Sequence, residues 1–85
     1  MNSISIKWDQ RAVKELRALP QQDQRRVFQS VAKLVDHPLQ GKALHGRWKG
    51  LRRLRVGPYR VIYGFDGSQL LISVIRVGNR RDVYR

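Results

Sequence analysis

The 85-residue sequence has no cysteine, only six acidic side chains, and no apolar run near the ~20 residues needed to cross a membrane. The first absence excludes a disulfide scaffold, a thiolate nucleophile and a Cys-ligated zinc site, and fits a reducing compartment. The second leaves two-carboxylate or metal-assisted hydrolysis without donors, because Asp9, Glu15, Asp23, Asp36, Asp66 and Asp82 form no recognisable pair. The third, with an opening MNSISIKWDQ that lacks a signal peptide's continuous apolar stretch, predicts a soluble cytoplasmic protein with no membrane partner. His37 and His45 stand in or beside one glycine-rich segment without metal-ligand spacing, so no metal or other cofactor is expected. A chain this short predicts a single domain over residues 1–85, too small for a deep internal cavity, so any chemistry falls on a surface or in a shallow groove.

What the chain does have is base. Eighteen Lys and Arg give a formal net charge of +12. Residues 1–41 carry seven basic against four acidic side chains and residues 42–85 carry eleven against two, so the excess lies in the second half. Thirteen of the eighteen are Arg, whose planar fork holds phosphate oxygens bidentately and stacks on bases. That favours nucleic acid over an anionic membrane surface.

Ile4, Ile6 and Trp8 alternate with polar residues, as in a half-buried first strand, and Asp9 reads as a helix N-cap. Ala12, Val13, Leu16 and Leu19 then recur at helical spacing up to Pro20, which also suits the start of a second helix. Val27, Phe28, Val31, Leu34 and Val35 form the apolar stripe of that helix, expected to pack on the sheet, and Pro38 ends it. Residues 37–50, with three Gly and a Pro, read as a loop. Strands follow at Leu51 to Val56, Tyr59 to Tyr63 and Leu70 to Val77, joined at Gly57-Pro58 and Asp66-Gly67. The expectation is an α+β domain of order β-α-α-β-β-β: two helices on one face of a small twisted, largely antiparallel four-stranded sheet.

Strand parity sorts the arginines. Arg53 and Arg55 share a face, about 6.5–7 Å apart, while Arg52 points to the other. If an even number of residues forms the Gly57-Pro58 turn, Arg60 joins the first face. Leu54, Val56, Tyr59, Val61, Tyr63, Leu70, Ile72 and Val74 then take the helix-packing face, and Leu51, Ile62, Leu71 and Ile75 stay among the arginines. Trp48 either stacks on a base or anchors the mouth of the sheet.

Beyond Gly78 the chain runs GNRRDVYR, in which Arg80, Arg81 and Arg85 surround Tyr84. RNA carries its own nucleophile, the 2′-OH, so metal-free cleavage needs only a base, charge stabilisation and a proton for the leaving oxygen. Arginines supply the stabilisation, and neighbouring cations favour a phenolate that can serve as the base. A tyrosine docked on the sheet edge is the plainer alternative.

The strand-turn-strand RRLRVGPYRVIY and the ending SVIRVGNRRDVYR, with KALHGRWKG before them and the β-α-α order of the first half, resemble the RelE/ParE toxin superfamily over essentially the whole chain, and its RelE branch more closely. The resemblance implies the toxin of a type II toxin–antitoxin system, an endoribonuclease that cuts mRNA in the A site of the 70S ribosome and is held by a RelB-like antitoxin. Carried over, it makes Arg60 a transition-state stabiliser, Arg80 an acid or charge stabiliser, and Tyr84 the general base. Arg53 and Arg55, with Lys49, Arg52, Arg81 and Arg85, would hold mRNA or 16S ribosomal RNA. Arginines replace a lysine pair of the best-studied pattern, and Asn79 stands where many relatives have histidine or lysine. The same fold in ParE-type toxins poisons DNA gyrase without a catalytic tyrosine; a non-catalytic nucleic-acid-binding module is the third reading.

Overall fold

A computed structural model of the chain describes residues 3–79. Its elements are β1 (Ser5–Trp8), α1 (Gln10–Arg17), α2 (Gln21–Ala32), β2 (Lys42–Ala43), β3 (Arg52–Val56), β4 (Tyr59–Asp66) and β5 (Leu71–Asn79), with short 3-10 turns at Lys33–Val35 and Gly46–Trp48. The five strands form one mixed sheet in the order β1-β5-β4-β3-β2. The α+β class is as expected, but four strands become five and the sheet is not antiparallel throughout. β2 pairs antiparallel with β3 inside the segment read as a loop, and two residues between glycines are too few to show a period. β1 lies parallel to β5, a pairing between chain ends that alternation along a strand does not encode.

At the start of α1, Asp9 takes the N-cap position, but its side chain makes no capping hydrogen bond. Its main chain welds strand to helix instead: the N–H donates to Val74 O at 3.0 Å and the carbonyl accepts from Val13 N–H at 2.9 Å. Pro20 caps α2, its carbonyl accepting from the Asp23 and Gln24 N–H groups. The corner between the helices is tied by the Gln24 amide, which donates to Leu19 O (2.9 Å) and Arg17 O (3.2 Å).

Ala12, Val27, Val31 and Leu34 pack on Leu54, Val56, Val61, Tyr63, Ile72, Val74 and Val77 to form the core. Each fully buried aliphatic side chain of valine or leucine size contributes about 1.5–3 kcal/mol relative to exposure. Val27, Val31 and Leu34 of the expected stripe are buried, Val35 is half-buried, and Phe28 departs from the expectation at 56% exposed. A 100° step per residue turns Phe28 away from Val27, and its ring stacks on Trp8 instead, with centroids 6.1 Å apart and planes 9° from parallel.

One irregularity changes which residues of β5 face the helices. Ile62 pairs with Arg76 but Tyr63 pairs with Val74, leaving Ile75 unopposed in a bulge. Parity flips there, so Val77 rather than Arg76 joins Ile72 and Val74 in the core.

Tyr63 anchors the β2 segment from within the core. Its hydroxyl donates to Pro38 O at 2.9 Å and accepts from Gly41 N–H at 2.8 Å, and burial holds the phenol above its ordinary pKa, in its neutral form. A Cβ on Gly41 would fall 2.7 Å from the Tyr63 ring and 2.8 Å from Arg53 O. At the β4–β5 turn, Asp66 Oδ1 accepts from Ser68 Oγ (2.7 Å), Ser68 N–H (2.9 Å) and Gln69 N–H (3.2 Å), bonds that lower its carboxyl pKa.

Tyr63→Phe should lower unfolding free energy in urea by about 1–3 kcal/mol, because it strands a buried N–H. Gly41→Ala should lower it by a comparable ~1–3 kcal/mol through overpacking. Asp66 binds fewer protons folded than unfolded, so its contribution is present above the ordinary carboxylate range and is lost as pH falls through the depressed folded value. Thermal scans of wild type against Asp66→Ala should show the largest Tm gap at neutral pH, and the gap should close in acid; a pH-independent gap would refute the assignment.

Candidate nucleic-acid interface

Gly57 adopts φ +56°, open to glycine without strain, and the fixed ring of Pro58 follows, so two residues close the β3–β4 hairpin. The register is Val56 opposite Tyr59, Arg55 opposite Arg60, Leu54 opposite Val61 and Arg53 opposite Ile62. Leu54, Val56 and Val61 are in the helix-side core, so Arg53, Arg55 and Arg60 share the other face, as parity requires. Arg55 is exposed, and Arg53 and Arg60 are half-buried. Like charges directly opposite cost roughly 0.2–1 kcal/mol per pair, which a bound polyanion offsets.

The β2 pairing adds a cation that the sequence reading left in a loop. Lys42 lies directly across from Arg53 and is exposed, so one row of the face runs Lys42, Arg53, Ile62, Arg76 and the next runs Arg55, Arg60, Gly78. The signal available was KALHGRWKG, but no alternation marks a two-residue strand. Ile62 is fully buried on this side, outside the helix-side cluster. Beyond it Leu51, Gly64, Leu71, Ser73 and Ile75 line a shallow hollow beside the cations. A Cβ on Gly64 would sit 3.0 Å from Leu51 Cδ2, so glycine keeps that floor low.

Arg76, also missed from sequence, is 6% exposed and neutralised. Its Nε and Nη2 each lie 3.0 Å from Glu15 Oε2, while Glu15 Oε1 accepts from Val77 N–H at 2.9 Å. The α1 carboxylate thus satisfies the β5 edge just past the last β1 pairing, Trp8 with Val74.

The remaining candidates disperse. Arg52 pairs with Tyr63 on the helix side, and its Nη1 donates to Gly41 O (2.7 Å) and Leu39 O (3.2 Å), so it pins the β2 segment instead of joining the arginine row. Lys49 is exposed just after the Gly46–Trp48 turn, where the Arg47 guanidinium lies 5.9 Å from the half-buried Trp48 ring. His37 and His45 are exposed. Among the described residues no group of three or more His, Asp or Glu could hold a metal. Arg80, Arg81, Tyr84 and Arg85 lie outside the described residues.

Neither described candidate phenol suits general-base work. Tyr59 donates to Asp23 Oδ2 at 2.6 Å, and that bond raises its pKa; Tyr63 is raised by burial. Both are committed as donors that hold helix or loop to the sheet.

The family model for the ParE toxin of type II toxin–antitoxin system, parDE, matches residues 6–84. No curated protein sequence matches the chain. Among solved structures, a chain of the archaeal RelE–RelB complex from Pyrococcus horikoshii OT3 is similar at 27% identity and TM-score 0.80, over 96% of this chain and 100% of that one. A chain of the RelBE2 toxin–antitoxin complex of Mycobacterium tuberculosis is similar at 26% identity and TM-score 0.74, over 93% and 100%. The isolated RelE toxin of E. coli shares the fold at 23% identity and TM-score 0.77, over 95% and 90%.

If Lys42 extends the cationic row, Lys42→Ala and Arg53→Ala should each weaken binding of a single-stranded RNA of arbitrary sequence. Each should lower the slope of log K against log salt by about 0.7, the increment for one phosphate contact on a single strand. A slope equal to that of wild type in titrations across salt would remove Lys42 from the interface.

Proposed function

The chain belongs to the ParE toxin family of type II toxin–antitoxin systems, within the RelE/ParE superfamily, and from that premise we propose a ribosome-dependent endoribonuclease that cuts mRNA in the A site and is neutralised by a cognate RelB-like antitoxin. The observation that carries this reading is the arginine face: Arg55 directly across from Arg60, with Lys42 and Arg53 in the next row. Four cations on one side of a sheet whose other side is packed by helices suit a phosphate backbone laid across the strands.

In this mechanism the RNA supplies its own nucleophile. Tyr84, as phenolate, takes the 2′-OH proton; the 2′ oxygen bonds to phosphorus as the bond to the 5′ oxygen breaks, leaving a 2′,3′-cyclic phosphate and a 5′-OH. Arg60 stabilises the charge on the phosphorane, and Arg80 adds to that stabilisation or protonates the leaving oxygen. The last described residues of β5 lie beside Arg60, since Gly78 pairs with it. Arg53, Arg55 and Lys42 hold flanking phosphates, and the hollow at Leu51, Gly64 and Ile75 offers an apolar floor to a base. With Tyr59 and Tyr63 committed as donors, Tyr84 is the tyrosine left for proton transfer. No metal takes part in these steps.

The family match favours a second reading, a ParE-type toxin that poisons DNA gyrase through protein contacts. One experiment separates the two: purified protein with programmed 70S ribosomes and mapped mRNA ends, in parallel with a gyrase supercoiling assay. A-site cuts are expected, with Arg60→Ala, Arg80→Ala and Tyr84→Phe each slowing cleavage by roughly 10²-fold or more, the size of one lost acid–base or charge-stabilising group. Gyrase inhibition without cleavage would establish the second reading, and full cleavage by Tyr84→Phe would overturn the role of that phenol.

A further inference from the structure

The hollow beside the cationic rows has a cross-strand row of its own. Gly64 pairs with Ser73 and Ser73 with Lys7, while the Leu51 side chain reaches over Gly64 from the β3 side. Lys7 is exposed and alternates with Ile6 and Trp8, which pack toward the helix-side core, so it belongs to the arginine side of the sheet. Positive charge therefore flanks the hollow twice, from Lys7 on β1 and from the row of Lys42 and Arg53. Three strand spacings, about 14 Å, separate β1 from β3. An RNA strand whose phosphates meet both flanks is carried across the hollow between them. Its volume of about 250 Å³ falls below the roughly 300–1,000 Å³ of pockets that take whole small-molecule ligands, and suits a single base.

Two polar side chains on its wall have hydrogen-bonding capacity to spare. Asp66 Oδ1 takes all three turn bonds from Ser68 and Gln69, and Oδ2 accepts none among the described residues. Those bonds keep the carboxyl ionised. The Ser73 hydroxyl likewise has no hydrogen bond among the described residues. An ionised carboxylate can only accept. Cytosine, adenine and guanine each bring it an exocyclic amino group, whereas the ring N–H of uracil lies between two carbonyl oxygens that a carboxylate repels. We propose that the hollow selects a base of the bound RNA: one with an exocyclic amino group lies on Gly64 between Leu51 and Ile75 and donates to Asp66, with the Ser73 hydroxyl beside its edge. The proposal rests on the reading of the arginine side as an RNA surface, and adds a base preference that phosphate contacts do not supply.

The probes are end-labelled oligo(C), oligo(U) and an abasic ribose-phosphate strand, each of about ten nucleotides, bound to the full chain and followed by fluorescence anisotropy. Oligo(C) should bind about tenfold or more tighter than oligo(U), the discrimination expected of one charge-assisted hydrogen bond. Asp66→Asn keeps an oxygen for the turn and offers an NH2 donor to the hollow, so it should lose this preference and favour oligo(U). A merely structural role for Asp66 would not reverse it. Gly64→Val fills the floor against Leu51 and should bring both oligomers down to the affinity of the abasic strand. Asp66→Asn and Gly64→Val should each bind the abasic strand within about twofold of wild type, which shows that they are folded. Lys7→Ala should lower the slope of log K against log salt by about 0.7 on every strand. Equal wild-type affinity for oligo(C) and oligo(U), or a preference that Asp66→Asn leaves unchanged, would overturn the proposal, and with ribosomal cleavage intact would defeat it alone. A base preference governed by Asp66 in a protein that does not cut mRNA on ribosomes would defeat the nuclease reading alone.

Discussion

A two-residue turn at Gly57-Pro58 sets the face of every side chain in the middle of the sheet. Because Val56 meets Tyr59 directly, odd and even positions of β3 and β4 stay in phase: Leu54, Val56, Val61 and Tyr63 go to the helices while Arg53, Arg55 and Arg60 go to the opposite side. One more residue in that turn would move the apolar set of one strand into water, and the loss of several buried aliphatic groups at about 1.5–3 kcal/mol each outweighs any electrostatic relief from separating the arginines. The hydrophobic term therefore holds the guanidinium groups together, against repulsion of roughly 0.2–1 kcal/mol for the pair.

The other charged and polar groups secure this arrangement. Glu15 neutralises Arg76 and satisfies the β5 edge, Asp23 ties α2 to β4 through Tyr59, and Arg52 with Tyr63 pins the chain before β2 to the sheet. The pinned segment brings Lys42 beside Arg53. Thus side chains that look alike in sequence divide by work: Arg52 and Arg76 stabilise the fold, and their neighbours Arg53 and Arg55 face outward. The division follows from partners within reach, because a guanidinium beside carbonyls or a carboxylate is held there by charge-assisted bonds.

The two sides of the domain accordingly offer different chemistry. The arginine side presents rows of cations with a shallow hollow beyond them, suited to phosphate and base. The helical side presents Phe28 stacked on Trp8, with Arg25 exposed nearby on the same helix as Phe28. A 10-kDa chain can place both on its surface because a single sheet, one layer thick, separates them.

Much of this was legible in the order of residues. Alternation gave the strands, helical spacing gave α1 and α2, and parity across Gly57-Pro58 placed Arg53, Arg55 and Arg60 together while setting Arg52 apart, because strand and helix periods are local properties of the backbone. β2, the parallel seat of β1 and the β5 bulge were not legible, since each depends on pairing between segments far apart in the chain. The same holds for Phe28, which shares the spacing of a buried stripe but lies on its outer margin, where only the position of Trp8 decides its partner. By itself, then, the sequence determined the elements other than β2, the family resemblance and the faces of the central hairpin. Tertiary structure alone decided which cations are neutralised and which remain presented, because a charge is paired or left open by what long-range packing brings within about 3 Å of it.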